Sequence, residues 1–141
     1  MLIIAVLAGV AYVYFSGKTP AKPASADKPA DIYPAIKPKV PSPSAPASAA
    51  IESLLTPVSL GSNTSVSVKT VPTAKCTISV TYNEVPSKDS GLSPKTADVY
   101  GNVVWSWTVE KTAPLGTWPV KVTCVYNKKS AVVIGNLQVV K

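Results

Sequence analysis

Two cysteines, three tryptophans and a thin scatter of carboxylates are the side chains here that can do chemistry, and their spacing narrows what that chemistry is. Cys76 and Cys124 lie far apart in the chain, and there is no histidine anywhere to join them. Two thiols alone do not complete a structural zinc site, which takes four nitrogen or sulfur ligands. Redox catalysis by a dithiol normally uses close Cys-x-x-Cys spacing. A structural disulfide between Cys76 and Cys124 is the simpler expectation, and it places the domain in an oxidising, extracytoplasmic compartment. The missing histidine also excludes Ser–His and Cys–His nucleophile pairs and the commonest general acid–base group near neutral pH.

The remaining polar candidates are few. Glu84 and Glu110 are the only glutamates after residue 54, and their spacing does not pair them as an acid and a base on one site. Asp89, Asp98 and Asn102 fall in or beside turn-like sequence and are of the type that ligates calcium, but calcium takes six to eight oxygens and solvated turn residues are the simpler reading. Asn63-Thr64-Ser65 matches the acceptor pattern for glycosylation. Trp105 and Trp107 share a strand face with Val103 and Val109, so they are expected in the core, with Tyr82 and Tyr126. Trp118 sits beside a turn and is the candidate surface contact for a ligand such as a sugar ring. No catalytic residue, metal or cofactor is expected.

Strands must position these residues. Val66 and Val68 alternate with Ser65, Ser67 and Lys69, and Cys76, Ile78, Val80 and Tyr82 alternate with Thr77, Ser79 and Thr81. This is period two, with one face buried. The same signal recurs at Val103, Trp105, Trp107 and Val109, and again at Trp118, Val120, Val122, Cys124 and Tyr126. A closing strand over residues 131–140 slips its apolar phase at Gly135, which predicts a bulge. Turn chemistry separates the runs at Pro72, across residues 83–94, at Gly101-Asn102, at 114–116 and at 127–129. Short runs near 58–60 and 95–99 bring the count to seven strands, and no helix is expected after residue 53. The expected fold class is all-β, a seven-stranded antiparallel Greek-key sandwich of two layers over residues 54–141. Cys76 then falls on the third strand and Cys124 on the sixth.

The first third of the chain is of another kind. Residues 1–15 are uncharged and apolar. As a helix they extend about 22 Å, which suits a signal-peptide core or a short signal anchor, so residues 1–16 are expected to partner a membrane. Lys18, Lys22 and Lys28 follow this run and none precedes it, which by the positive-inside rule favours the reverse orientation; the expected disulfide outweighs it. Ala24-Ser25-Ala26 matches a cleavage site, but retention of the segment is favoured. Residues 17–53 are rich in proline, alanine, lysine and serine, and are expected to form a disordered linker of extended polyproline type. Fourteen lysines against seven acids make the chain basic, but arginine is absent and the charge is spread along it, so specific nucleic-acid readout is disfavoured.

The stretch TADVYGNVVWSWTV, followed by PLGTWPVKVTC and a valine-rich closing strand, resembles the bacterial immunoglobulin-like domains of surface and secreted proteins. In these an Asp-x-x-Gly turn leads into one strand and a Pro-x-Gly-Thr turn into the next. The resemblance covers about residues 57–141 and implies an immunoglobulin-like fold and an extracytoplasmic location, membrane-anchored or secreted. Antibody-type domains join their second and sixth strands by the disulfide, and the placement of Cys76 on the third strand departs from that; the strand order the resemblance implies makes the third and sixth strands neighbours in one sheet, with both sulfurs facing the core. The expected function is a non-catalytic, membrane-tethered module for surface display, adhesion or structural spacing, with a cell-wall glycan, surface glycan or protein as ligand. A pilin-like, self-assembling filament subunit and a carbohydrate-binding accessory domain are the alternatives. Ala5 stands where typical bacterial pilins carry glutamate.

Overall fold

A computed structural model of the chain describes residues 37–141. Residues 1–16, expected to partner a membrane, and most of the expected linker lie outside these residues. The described part is all-β, with two sheets in a sandwich-like arrangement. Nine strands run in the order β1 (Ala49–Leu54), β2 (Val58–Ser59), β3 (Asn63–Thr70), β4 (Lys75–Tyr82), β5 (Val85–Pro86), β6 (Lys95–Thr96), β7 (Asn102–Thr108), β8 (Gly116–Tyr126) and β9 (Lys129–Val140). One sheet has the order β1-β3-β7. The other has the order β2-β9-β8-β4-β5, with β6 also on β4.

Alternation in sequence becomes alternation in burial. Val66 and Val68 of β3, Cys76, Val80 and Tyr82 of β4, Val103, Trp105 and Trp107 of β7, and Val120, Val122 and Cys124 of β8 all face the shared core. Leu137 and Val139 of β9 complete it. Trp105 stands opposite Val66 in the β3–β7 ladder and is wholly buried. Its Nε1 donates to Ser93 O at 2.9 Å, so the largest apolar group in the core leaves no polar atom unpaired.

Several expectations are corrected. The linker does not run to residue 53: Ala49–Leu54 form β1, which pairs with β3 through a register shift between Ile51 and Ser53. The Ala-Ala-Ile-Glu-Ser-Leu sequence has little strand propensity of its own, and its place comes from packing. A Cβ added to Gly135 of β9 would lie 2.8 Å from Ile51 Cδ1 and 3.2 Å from Leu54 Cδ2, so β1 lays its apolar side chains over a strand that offers none there. The described residues hold nine strands rather than seven, because β1 and the short β5 were not anticipated. The sandwich is not wholly antiparallel either, since β2 runs parallel to β9. The bulge at Gly135 is absent: β8 and β9 pair without a break from Gly116↔Val139 to Tyr126↔Lys129. Ala131, Val133, Gly135, Leu137 and Val139 form one continuous inward phase, while Val132 and Ile134 point out at 52% and 59% exposure. Their large side chains gave the false impression of a phase change.

The outer edge of β7 is closed by the loop after β5. Lys95 Nζ donates to Val104 O at 2.8 Å, and Asp89 Oδ2 accepts from Thr108 N at 3.2 Å. Between them a single 3-10 turn, Ser90–Leu92, brings Gly91 so close that a Cβ there would lie 2.0 Å from Ser106 O. An edge strand capped in this way cannot recruit another strand.

Candidate functional site

The disulfide comes first because β4 and β8 position it. Cys76 and Cys124 are direct partners in the β4–β8 ladder, with Cα atoms 4.0 Å apart, and their sulfurs are bonded. Both residues are almost completely buried among Ile78, Val80, Val120 and Val122. The bond therefore ties two neighbouring strands of one sheet, on the core side.

Of the expected core aromatics, Tyr82, Trp105 and Trp107 are buried. Tyr126 is a correction: it is the last residue of β8 and packs on the rim of the core, half-buried. Trp107 Nε1 donates to Tyr82 Oη at 3.3 Å inside the core. Burial pushes the Tyr82 hydroxyl above its ordinary pKa; the Trp107 hydrogen bond offsets part of this, and the charges of Glu110 and Asp89 add to it. Trp118 is half-buried, with part of its ring engaged within the domain. Its Nε1 donates to Pro114 O at 2.8 Å, and its ring covers Gly116, where an added Cβ would lie 3.2 Å from Cζ2.

The loop carboxylates accept mainly from backbone amides. Asp98 Oδ1 accepts from Tyr100 N at 2.9 Å and Asn102 N at 2.8 Å, while Oδ2 accepts from Asn102 Nδ2. The backbone hydrogen bond from Asn102 is the main reason the Asp98 carboxyl is held below its usual pKa. Asp89 accepts from Gly91 N at 2.7 Å and from Thr108 N. Asp98 thus serves the start of β7 and Asp89 its end, about 20 Å apart by strand rise, too far for one cation. Among the described residues no three His, Cys, Asp or Glu side chains cluster to hold a metal. Asn63 Oδ1 accepts from Thr108 Oγ1 at 2.7 Å.

Sequence reasoning missed a site-like feature among the described residues. The β4–β5 hairpin turns through Asn83 (φ 46°) and Glu84 (φ 69°), a two-residue turn of the kind that suits strand twist. It swings Val85, Pro86 and Ser87 opposite the loop after β7. Between them lies a cleft of about 460 Å³, walled by Tyr82, Val85, Pro86, Ala113 and Pro114, with Glu110 at its polar end. Ser87 Oγ donates to Glu110 Oε1, which also accepts from Lys88 N at 3.3 Å. Glu110 Oε2 is buried and takes no hydrogen bond from any described group. The Ser87–Glu110 contact ties the hairpin to the end of β7, and Glu84 is not part of it. Nothing in the spacing of Ser87 and Glu110 announces this cleft, which exists only through the turn at 83–84.

The chain matches no family model, no curated protein and no solved structure.

Proposed function

We propose that this chain is a non-catalytic, membrane-tethered module that presents an immunoglobulin-like β-sandwich outside the cytoplasm for surface display, adhesion or spacing. The buried Cys76–Cys124 bond carries the reading, because a disulfide between neighbouring core strands belongs to oxidising compartments. The strand order supports the immunoglobulin-like part: β1-β3-β7 facing β9-β8-β4 follows the A-B-E and G-F-C arrangement of such sandwiches, with β2 as a short strand crossing to the second sheet. Apolar residues 1–15 are the membrane partner in this reading. A mostly apolar cleft with one carboxylate, within the size range of small-ligand sites, is the place where the module would contact a surface glycan or protein.

The test is native protein recovered from its source under thiol blockade. Thiols that react with the blocking reagent only after reduction, in material that sediments with membranes and is digested by protease added to intact cells, are the expected result. Two freely reactive thiols in cytosolic material would sink the proposal.

A further inference from the structure

Residues 37–48, which lead into β1, include prolines at 38, 41, 43 and 46. Proline has no N–H to donate, so such a stretch offers its surroundings chiefly carbonyl acceptors. The tip of the β8–β9 hairpin supplies donors to match. Tyr126 Oη donates to Pro41 O at 3.2 Å, Asn127 Nδ2 donates to Pro43 O, and Lys129 Nζ donates to Ser44 O at 3.0 Å. The segment is itself shaped for this. Ala45 N donates to Ser42 O at 2.9 Å, closing a β-turn with Pro43 at its second position, where a fixed φ near −65° is favoured. Ser44 N adds a bond to Ser42 Oγ at 3.2 Å. Further along, Thr70 Oγ1 donates to Ser48 O at 2.5 Å and hands the chain to β1.

We infer that the tip of the β8–β9 hairpin is a docking surface for a proline turn, and that its occupant is residues 41–45 of this chain. Hydrogen bonds to carbonyls, rather than apolar burial, do the holding. Val40 is 87% exposed, and open cavities of about 450 Å³ and 120 Å³ flank the segment, the first beside Pro43 and the second beside Pro41. The tip is preorganised, since Asn127 and Lys128 occupy the left-handed region at φ 45° and 65° and turn the chain in two residues.

The clasp and the cleft lie at opposite ends of the sandwich. Tyr126 lies at the Lys75 end of β4, because Lys75 pairs with Val125, whereas the cleft opens at the Tyr82 end of the same strand. The two ends of β4 are about 23 Å apart. Residues 41–44 are thus held at one end of the sandwich, and the cleft opens at the other.

Backbone ¹⁵N relaxation on the full chain in detergent micelles tests this. In the unaltered chain the amides of Ser42, Ser44 and Ala45 are expected to have order parameters near the ~0.85 of rigid backbone. In Tyr126→Phe/Lys129→Ala, which removes two donors, and separately in Pro43→Gly, which leaves the sandwich untouched, they are expected to fall below ~0.6 with the Trp105 and Trp107 indole signals unmoved. Mobile amides in the unaltered chain overturn the inference, and so does retained order in either variant. If the hairpin variant loses its indole signals by unfolding, Pro43→Gly alone decides.

Discussion

Reducing the Cys76–Cys124 bond in the otherwise unaltered chain separates the cross-link from every other property of the two side chains. The bond closes a loop with a sequence separation of 48. In the chain-entropy treatment, releasing a loop of that length returns about 14 cal/mol/K to the unfolded chain, or about 4 kcal/mol at 25 °C. Nothing comparable is lost from the folded state, since both sulfurs stay in place between Val80, Val120 and Val122. For a domain of this size the loss corresponds to a fall of about 15–30 °C in Tm, or a shift of about 2 M in the urea midpoint at a slope near 2 kcal/mol/M. The assay is equilibrium urea unfolding followed by tryptophan fluorescence, with and without reductant, which reports directly on buried Trp105 and Trp107. The double substitution Cys76→Ala/Cys124→Ala should cost roughly 2 kcal/mol more, because it also leaves two gaps of about methyl size. Coincident midpoints in the oxidised and reduced protein would refute the reasoning, since they would mean that the bond constrains nothing the unfolded chain explores.

Three other perturbations test separate parts of the fold. Gly101→Ala should destabilise by more than ~3 kcal/mol, since Gly101 sits at φ +83° with a Cβ position 2.1 Å from Thr70 O; a thermal midpoint close to that of the parent would contradict the geometry. Gly91→Ala should lift the 3-10 turn off β7, since its Cβ would meet Ser106 O at 2.0 Å, and the expected readout is faster amide exchange across residues 102–108 and concentration-dependent association through the bared edge. Tyr82 holds its proton more tightly folded than unfolded, so its contribution to stability is complete below tyrosine's ordinary pKa of about 10 and is lost as pH rises through the higher folded value. Tyr82→Phe should flatten that alkaline decline while costing about 1 kcal/mol at neutral pH for the Trp107 Nε1 left unpaired; an alkaline limb unchanged by the substitution would assign it to another group.

Period-two alternation made the long strands legible because each buries one face completely. Val66-x-Val68, Cys76-x-Ile78-x-Val80-x-Tyr82 and Val103-x-Trp105-x-Trp107 have few alternatives once polar residues fill the gaps. Alternation and a count of strands put Cys76 on the third run and Cys124 on the sixth, and the strand order implied by the immunoglobulin-like resemblance made those two neighbours in one sheet. β9 was misread for a reason that alternation cannot repair. Its inward phase includes Ala131 and Gly135 while its outward phase includes Val132 and Ile134, so side-chain size points the wrong way. β1 was missed because Ala49 and Ala50 continue the composition of the linker, and its partner groups, β3 for the backbone and Gly135 for the side chains, lie far along the chain.

The cleft and the clasp were illegible for a deeper reason: both are made by two-residue turns. Asn83-Glu84 and Asn127-Lys128 each reverse the chain with two residues in the left-handed region, and each carries a neighbouring side chain to a partner that sequence does not mark. Ser87 meets Glu110 through the first turn, and Lys129 meets Ser44 through the second. The sequence signal in each case is a single asparagine, whose tolerance of positive φ allows the reversal but says nothing about what is brought together. In a sandwich of this kind the strands set the register and the turns decide which loops become neighbours. The polar groups least explained by the core, Glu110 Oε2 at one end and the carbonyls of residues 41–44 at the other, therefore collect where the turns are.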